Sequence, residues 1–468
     1  MLAILESSDA KAMRRLLDRT PDDHARLEPS VKQIVEAVRT RGDKALIELA
    51  RKFDALEGPI ELSPAEIHAG AEACPRPVRA AIRKAARHIR MVARAQVPPT
   101  WTRQVAPGVK VSQRVVPLER VGCYVPGGRY PLPSSLLMAA VTARAAGVPE
   151  VIVACPRPDA AVLAAAVEAG VDRVFQLGGA QAIAAMAYGT ATVPRVDKIV
   201  GPGNAYVALA KALVARDCAI DFFAGPSEIV VVAESGNPAW IAADLLAQAE
   251  HDVDARAILL TPSRRLAQQV ARAIAAQLAG ADAEGTPAAQ SLARNGAIVV
   301  TRTLAEATTL ANRMAPEHLV VDTAAVAAAI PVAGSIFVGP WTAQAAGDYA
   351  IGSNHVLPTS GAARFRGGLH AWDFVRVSSV QQLTRQGIAS VGPTAATLAD
   401  AEGLKLHAAS IRARLGVPPK VGVAPRAAAP KVRAAPRAAA PKVGAAPRAA
   451  APKVGAAPRA ALSRNPRA

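Results

Sequence analysis

Apolar positions in this chain follow two rhythms. Over residues 30–54 they recur at helical spacing, in Val31, Ile34, Val35 and Val38 and again in Leu46, Ile47 and Leu49, with Gly42 as the break. Residues 64–95 repeat that texture. From Glu119 the pattern changes to short apolar runs, VGCYVP, EVIVACP, RVFQLG, DKIVGP, SEIVVVA, ARAILLT, GAIVVT and SIFVG, separated by Ala-rich stretches long enough for helices. Strands that are nearly uniformly apolar are covered on both faces, and strand-helix alternation predicts parallel sheets. The number of units predicts two such sheets in series, with ligands gathering at the carboxyl ends of the strands.

A third rhythm begins at residue 417. It is an 11-residue repeat marked by Pro425, Pro436, Pro447 and Pro458, each followed by Arg, and by Lys420, Lys431, Lys442 and Lys453, each preceded by Pro. A proline every five or six residues removes amide donors and clashes with the preceding turn, so an extended, solvated, disordered tail is expected despite the alanines. The tail also changes how the charge is interpreted. Of the formal +18, eleven positive charges lie from Lys420 onward with no acidic residue among them, so the body is only mildly basic. Nucleic-acid binding is therefore not implied for the body; weak, nonspecific polyanion binding by the tail is the most that charge alone suggests.

Composition narrows the class further. Hydrophobic residues make up 51% of the chain and aromatics only 3%, which suits Ala, Val, Leu and Ile packed as helices on parallel strands. Cys74, Cys123, Cys155 and Cys218 form no CxxC pair and read as reduced core residues. Glu6 and Asp9 come too early for a signal peptide, and no stretch approaches the length of a membrane span. A soluble, cytoplasmic protein is expected.

Candidate chemistry sits where strands meet helices. Six glycines mark such turns, in VPGGRYPLP (Gly127, Gly128), LGGAQAI (Gly178, Gly179) and VGPGNAY (Gly201, Gly203). They could admit phosphate, although none completes GxGxxG and a plain tight turn would look the same. In NPAWIAADLLAQAEHD, Gln248 and His251 share one helix face, where two donors can converge on a metal or simply meet solvent. APEHL places Glu317 beside His318 at a helix-to-strand transition. Neighbouring side chains point in different directions, so a hydrogen bond between the two is not expected and the motif admits two separate acid-base roles, although taken by itself it reads more readily as a plain surface Glu-His pair. GDYAIGSNHVLP adds Asp348 and His355, and AEGLKLH adds Glu402 and His407. This N/O donor inventory lacks thiolate and suits zinc or manganese in a polar site.

Taken together, VGCYVPGGRYPLPSS, LGGAQAIAAMAYGT, VDKIVGPGNAYV, DFFAGPSEIVV, AADLLAQAEHD, APEHL, AGSIFVG, GDYAIGSNHVLPTSG and the AEGLKLHA helix resemble the histidinol dehydrogenase family, in the family's order and over about residues 25–412. The resemblance implies one zinc per subunit, held by Gln248, His251, Asp348 and His407. It implies NAD against Tyr124, Gln181 and Asn204. Substrate contacts would come from Ser227, His318, His355, Glu402 and the metal ligands themselves, and Glu317 and His318 would be the catalytic pair. The implied reaction is four-electron oxidation of L-histidinol to L-histidine through L-histidinaldehyde with two NAD, the last step of histidine biosynthesis. A homodimer with composite sites is implied, its C-terminal arms crossing between subunits.

The fold expected is α/β, with two incomplete Rossmann-like parallel-sheet domains and helical N- and C-terminal arms. Residues 1–24 would form the N-terminal arm, 111–224 the NAD domain, and 25–110 a helical part completed by the zinc-bearing unit 225–370. Residues 371–416 would form the helical exchange arm and 417–468 the tail. Ile351, Ser353 and the RGGLHAWDF segment depart from the family pattern, which leaves a paralogue acting on another small polar alcohol as the alternative. A basic-tailed nucleic-acid-binding protein with an inactive enzyme body is a third reading, and the presence of every metal and base position opposes it.

Overall fold

The computed structural model describes residues 2–18, 26–127, 131–223, 225–279 and 285–416; Gly128 and the repeat from residue 417 lie outside them. Two compact units emerge, Met1–Gly387 and Ile388–Ala468.

In the first unit the opening strands are β1 (Ala3–Glu6), β2 (Glu61–Leu62) and the pair β3 (Trp101–Ala106) and β4 (Val109–Pro117). Next come β5 (Arg120–Tyr124), β6 (Glu150–Ala154), β7 (Arg173–Phe175), β8 (Lys198–Val200) and β9 (Ala219–Ile220). These five are parallel in the order β7-β6-β5-β8-β9, and β2 adds an antiparallel edge beside β7. A second run, β10 (Glu228–Val232), β11 (Arg256–Thr261), β12 (Ala297–Val300), β13 (His318–Val321) and β14 (Ser335–Val338), repeats the topology as β12-β11-β10-β13-β14. Both sheets thus follow a doubly wound order that reverses once, between β5 and β8 and between β10 and β13. The eight apolar runs singled out in the sequence all contain strands of these two sheets.

Period-two burial explains the layers. In β6, Val151 and Val153 face helices Pro64–Ala73, Arg76–Gln96, Pro133–Ala145 and Ala160–Ala169, whereas Ile152 and Ala154 face Glu28–Arg41, Gly179–Tyr188 and Ala205–Val214. In the second sheet Val230 and Val232 pack on Leu310 and Met314, and Ile229 and Val231 on Leu245 and Val270. All four cysteines are buried and unpaired, and burial pushes the thiols of Cys123, Cys155 and Cys218 up to about 12, which suits inert core residues. No helix among the described residues is long and apolar enough to cross a membrane.

Three parts of the expected layout differ. The N-terminal arm is not only helical: helix Ala10–Leu17 is preceded by β1, which extends the second sheet by pairing with β12. The helices of residues 28–96 complete the core of the first sheet, not that of residues 225–370. The expected helical arm 371–416 opens with one 3-10 turn, Ala371–Phe374, and then a strand, β15 (Val375–Leu383), antiparallel to β4 in a small sheet β15-β4-β3. Helical periodicity shows that a face is apolar; which sheet receives it depends on packing between segments far apart in sequence.

Leu46 is fully buried in the core that the helices of residues 28–53 share with the first sheet. Leu46→Ala should therefore cost about 2–5 kcal/mol of stability, visible as an earlier midpoint in chemical denaturation. A loss below about 1 kcal/mol would mean that this helix does not close that core.

Candidate active site

β10 and β13 run side by side with Ile229 opposite His318, which brings Ser227 and Glu228 against Glu317. Glu317 is buried, and its Oε2 accepts the Ser227 hydroxyl at 2.7 Å and the Glu228 amide at 2.8 Å. Ser227 Oγ in turn accepts Gln248 Nε2 at 2.6 Å from helix Pro238–Ala249. The group lies at the amino ends of β10 and β13, opposite to the carboxyl-end location expected from doubly wound sheets. Ser227 and Glu317 lie in the segments entering these strands, and the far end of the helix that follows β10 brings Gln248 to the same end.

His318 is buried between two carboxylates. Its Nδ1 lies 3.2 Å from the Glu228 carbonyl oxygen and 3.5 Å from Glu317 Oε2, and its Nε2 lies 3.6 Å from Asp348 Oδ1 without a hydrogen-bond partner. His318 Nδ1 is aimed at the Glu228 carbonyl and the Glu317 carboxylate turns to its own donors on β10, in keeping with the expectation that the two neighbours do not hydrogen-bond each other. Burial by itself would lower the His318 pKa, but the charges of Glu317 and Asp348 outweigh it and push the imidazole up to about 10. Burial would likewise raise Asp348; the His318 interaction dominates and holds it below its ordinary value.

Asp348 is placed by helix Gln344–Tyr349, where buried Gln344 donates Nε2 to Asp348 Oδ2 at 2.7 Å. Nδ1 of His355 lies 2.8 Å from the Asp348 carbonyl oxygen and its Nε2 3.4 Å from Ser135 Oγ. Burial lowers the His355 pKa, against the opposing charge of Asp348, and so favours the neutral ring. Gln344 and Ser135 were missed by sequence reasoning; a polar residue four positions before Asp348 was the only signal for the first.

Among the proposed metal donors, Gln248 is fully buried with Oε1 unpartnered. His251 lies just past the helix end, exposed, with Nδ1 3.0 Å from the Ala247 carbonyl oxygen. A proton on Nδ1 leaves Nε2 with its lone pair, the tautomer that binds a metal. Among the described residues no three of His, Cys, Asp or Glu form a metal-sized group. Glu402 and His407 belong to the second unit, just after helix Arg385–Ala401 and within helix Lys405–Arg414, and both are exposed.

The dinucleotide candidates gather at the carboxyl ends of the first sheet. Tyr124 ends β5 and its hydroxyl accepts the Gly179 amide at 3.1 Å, while burial pushes its pKa up to about 12. Gln181 is buried and donates to Asp54 Oδ2 at 2.9 Å, and the same oxygen accepts the Gly178 amide at 3.0 Å. Asn204 is exposed and caps helix Ala205–Val214 through Val207 N–H. Asp221 Oδ2 accepts the Gly201 amide at 2.8 Å. Three amides of these turns are therefore occupied within the protein, which accounts physically for Gly-rich turns without a complete phosphate fingerprint.

Comparison with known proteins adds the family. The profile described as histidinol dehydrogenase matches residues 17–415. A protein of Bordetella parapertussis named histidinol dehydrogenase is 46% identical over 423 residues, covering 87% of this chain and 95% of that relative. Another from Aquifex aeolicus is 45% identical over 394 residues, covering 83% and 92%. The crystal structure of histidinol dehydrogenase from Elizabethkingia anophelis matches with a TM-score of 0.84 at 33% identity, over 89% of this chain and 98% of that one. Similarity of this extent, along nearly the whole described fold, places the chain in the histidinol dehydrogenase family of oxidoreductases.

Proposed function

We propose that this enzyme oxidises L-histidinol to L-histidine through L-histidinaldehyde, passing four electrons to two NAD in the last step of histidine biosynthesis. The observation that carries the reading is the buried junction of Glu317 and His318 with Ser227, Gln248 and Asp348 at one end of two neighbouring strands. Oxidation of an alcohol to an acid needs a proton taken from a hydroxyl and a water added to the aldehyde, which calls for two bases aimed at different atoms.

His318 Nε2 has no hydrogen-bond partner, while Nδ1 is within reach of the Glu228 carbonyl. Nε2 is thus the atom that would take the hydroxyl proton, first from the alcohol and later from the hydrate. Glu317 holds its place through Oε2, which leaves Oε1 to draw a proton from water. NAD, when bound near Tyr124, Gln181 and Asn204, would accept hydride in each oxidation.

The donor set fits a divalent cation. Gln248 offers an orphaned buried oxygen, Asp348 a stabilised carboxylate and His251 a metal-binding tautomer. A cation there would supply a fixed hold on the substrate's imidazole and amino nitrogens, zinc being the ion implied by the family. Glu317 and Asp348 favour the protonated His318 ring, and a cation held by Asp348 would weaken that effect and so favour a free Nε2. His407, Glu402 and His355 complete the proposed substrate and metal contacts.

The proposed assembly is a homodimer in which Glu402 and His407 serve the partner's site. Leu406 on the C-terminal arm is 85% exposed and Leu404 is also exposed, apolar surface suited to burial against a second copy.

Glu317→Gln should retain more of the alcohol oxidation than of the aldehyde oxidation, whereas His318→Asn should lower both by about a hundredfold or more. NADH formation from histidinol and from histidinaldehyde separates the two steps, and equal losses for Glu317→Gln would end the division of roles. Exhaustive chelation should remove bound metal and turnover together, with zinc or manganese restoring both; full turnover in metal-free protein rules the cation out. Refolding inactive His318→Asn and His407→Ala together should restore about a quarter of sites, since about half of randomly paired dimers are mixed and one site in each is then intact. No recovery in demonstrated mixed dimers means that His407 acts within its own chain.

A further inference from the structure

Helix Ala205–Val214 reads AYVALAKALV, and its one charged residue, Lys211, points into the protein. Lys211 Nζ donates to Asp221 Oδ1 and to the Gly201 carbonyl oxygen, both at 2.6 Å. The two side chains are only 5% and 2% exposed. Asp221 Oδ2 accepts the Gly201 amide at 2.8 Å, and Oδ1 accepts the Phe222 amide at 2.7 Å. A single buried ion pair thus grips both the N–H and the C=O of Gly201.

Gly201 begins the turn that ends in Asn204, at the point where the first sheet reverses its strand order. Its φ of +116° is a conformation that L side chains rarely adopt, and an added Cβ would stand 2.1 Å from the Tyr124 carbonyl oxygen. The turn is therefore pressed onto the end of β5 and held from behind. An apolar pair would fill the same space at similar or lower cost to the fold, since desolvating two charges offsets much of their attraction. What apolar side chains cannot do is hold both polar groups of one glycine in a fixed orientation.

We propose that the Lys211–Asp221 pair is a positioning element for dinucleotide binding, setting the Gly201–Asn204 turn so that Asn204 and the start of the following helix meet the cofactor. This rests on the reading that NAD lies against Asn204. Asp221 is itself anchored from outside the turn: its carbonyl accepts Arg366, whose guanidinium lies 4.2 Å from the centroid of the adjacent Phe222 ring.

The test uses the full-length holoenzyme with Lys211→Met and Asp221→Asn combined, which removes both charges and keeps an acceptor oxygen at position 221. Equilibrium titration with NADH should show a dissociation constant raised at least about tenfold, while the affinity for histidinol and the thermal midpoint stay close to wild type. In steady state the loss should appear in KM for NAD with kcat retained. NADH affinity within about twofold of wild type in the folded double variant would overturn the role. If that double variant does not fold, Lys211→Leu combined with Asp221→Asn, which again leaves no unpaired buried charge, is measured against the same two limits.

Asn204→Asp keeps the capping oxygen and adds a negative charge at the turn, so it should weaken NADH binding through repulsion of the cofactor phosphates. If it does not, the dinucleotide is not at this turn and the positioning role falls with that reading. If it does while the ion-pair variants bind NADH normally, only the role of the pair is refuted.

Discussion

A carboxylate taken out of water must find donors, and Glu317 finds them across the gap between two strands. Its Oε2 accepts the Ser227 hydroxyl and the Glu228 amide of the segment entering β10, so the pairing of β10 with β13 and the geometry of the site are one constraint. Gln248 is fixed through Ser227, and His318 through the Glu228 carbonyl and its two flanking carboxylates. Shifting the strand register by one residue would turn His318 to the opposite face and separate Glu317 from both of its donors.

The two parallel sheets share a strand order but carry their candidate residues at opposite ends. In the first, Tyr124 ends β5, Gln181 lies in the first turn of the helix after β7, and Asn204 caps the helix after β8. In the second, the segments entering β10 and β13 carry Ser227 and Glu317. Topology alone would have placed both groups at carboxyl ends. Position of a site on a sheet is decided by which loops carry polar residues and by what buries them, and here the helix ending in Gln248 closes the amino-end cluster.

Buried polar groups recur behind both candidate sites. Asp54 holds the Gly178 amide and Gln181, Asp221 holds Gly201, and Gln344 holds Asp348. Each holds a group beside a candidate site, and each costs desolvation that only a complete set of partners offsets. Lys211 was visible in the sequence as a lone charge in an apolar helix, yet nothing nearby in the chain identified Asp221 as its partner.

Much of this protein was determined by sequence in isolation. The eight apolar runs that became strands, the helices between them and the residues of the family motifs were legible because they depend on local periodicity and on residue type. The Pro107–Gly108 turn of the β3-β4 hairpin is a local signal of the same kind, two turn-forming residues between strands. Only the tertiary structure decided that the helices of residues 28–96 close the first sheet, that Ala3–Glu6 extends the second, and that Val375–Leu383 returns as a strand to β4. It also decided that Glu317 turns to its donors on β10 and that three glycine amides are capped from within. Those outcomes arise from contacts between residues scores or hundreds of positions apart, where a local pattern states what must be buried or paired but not its partner.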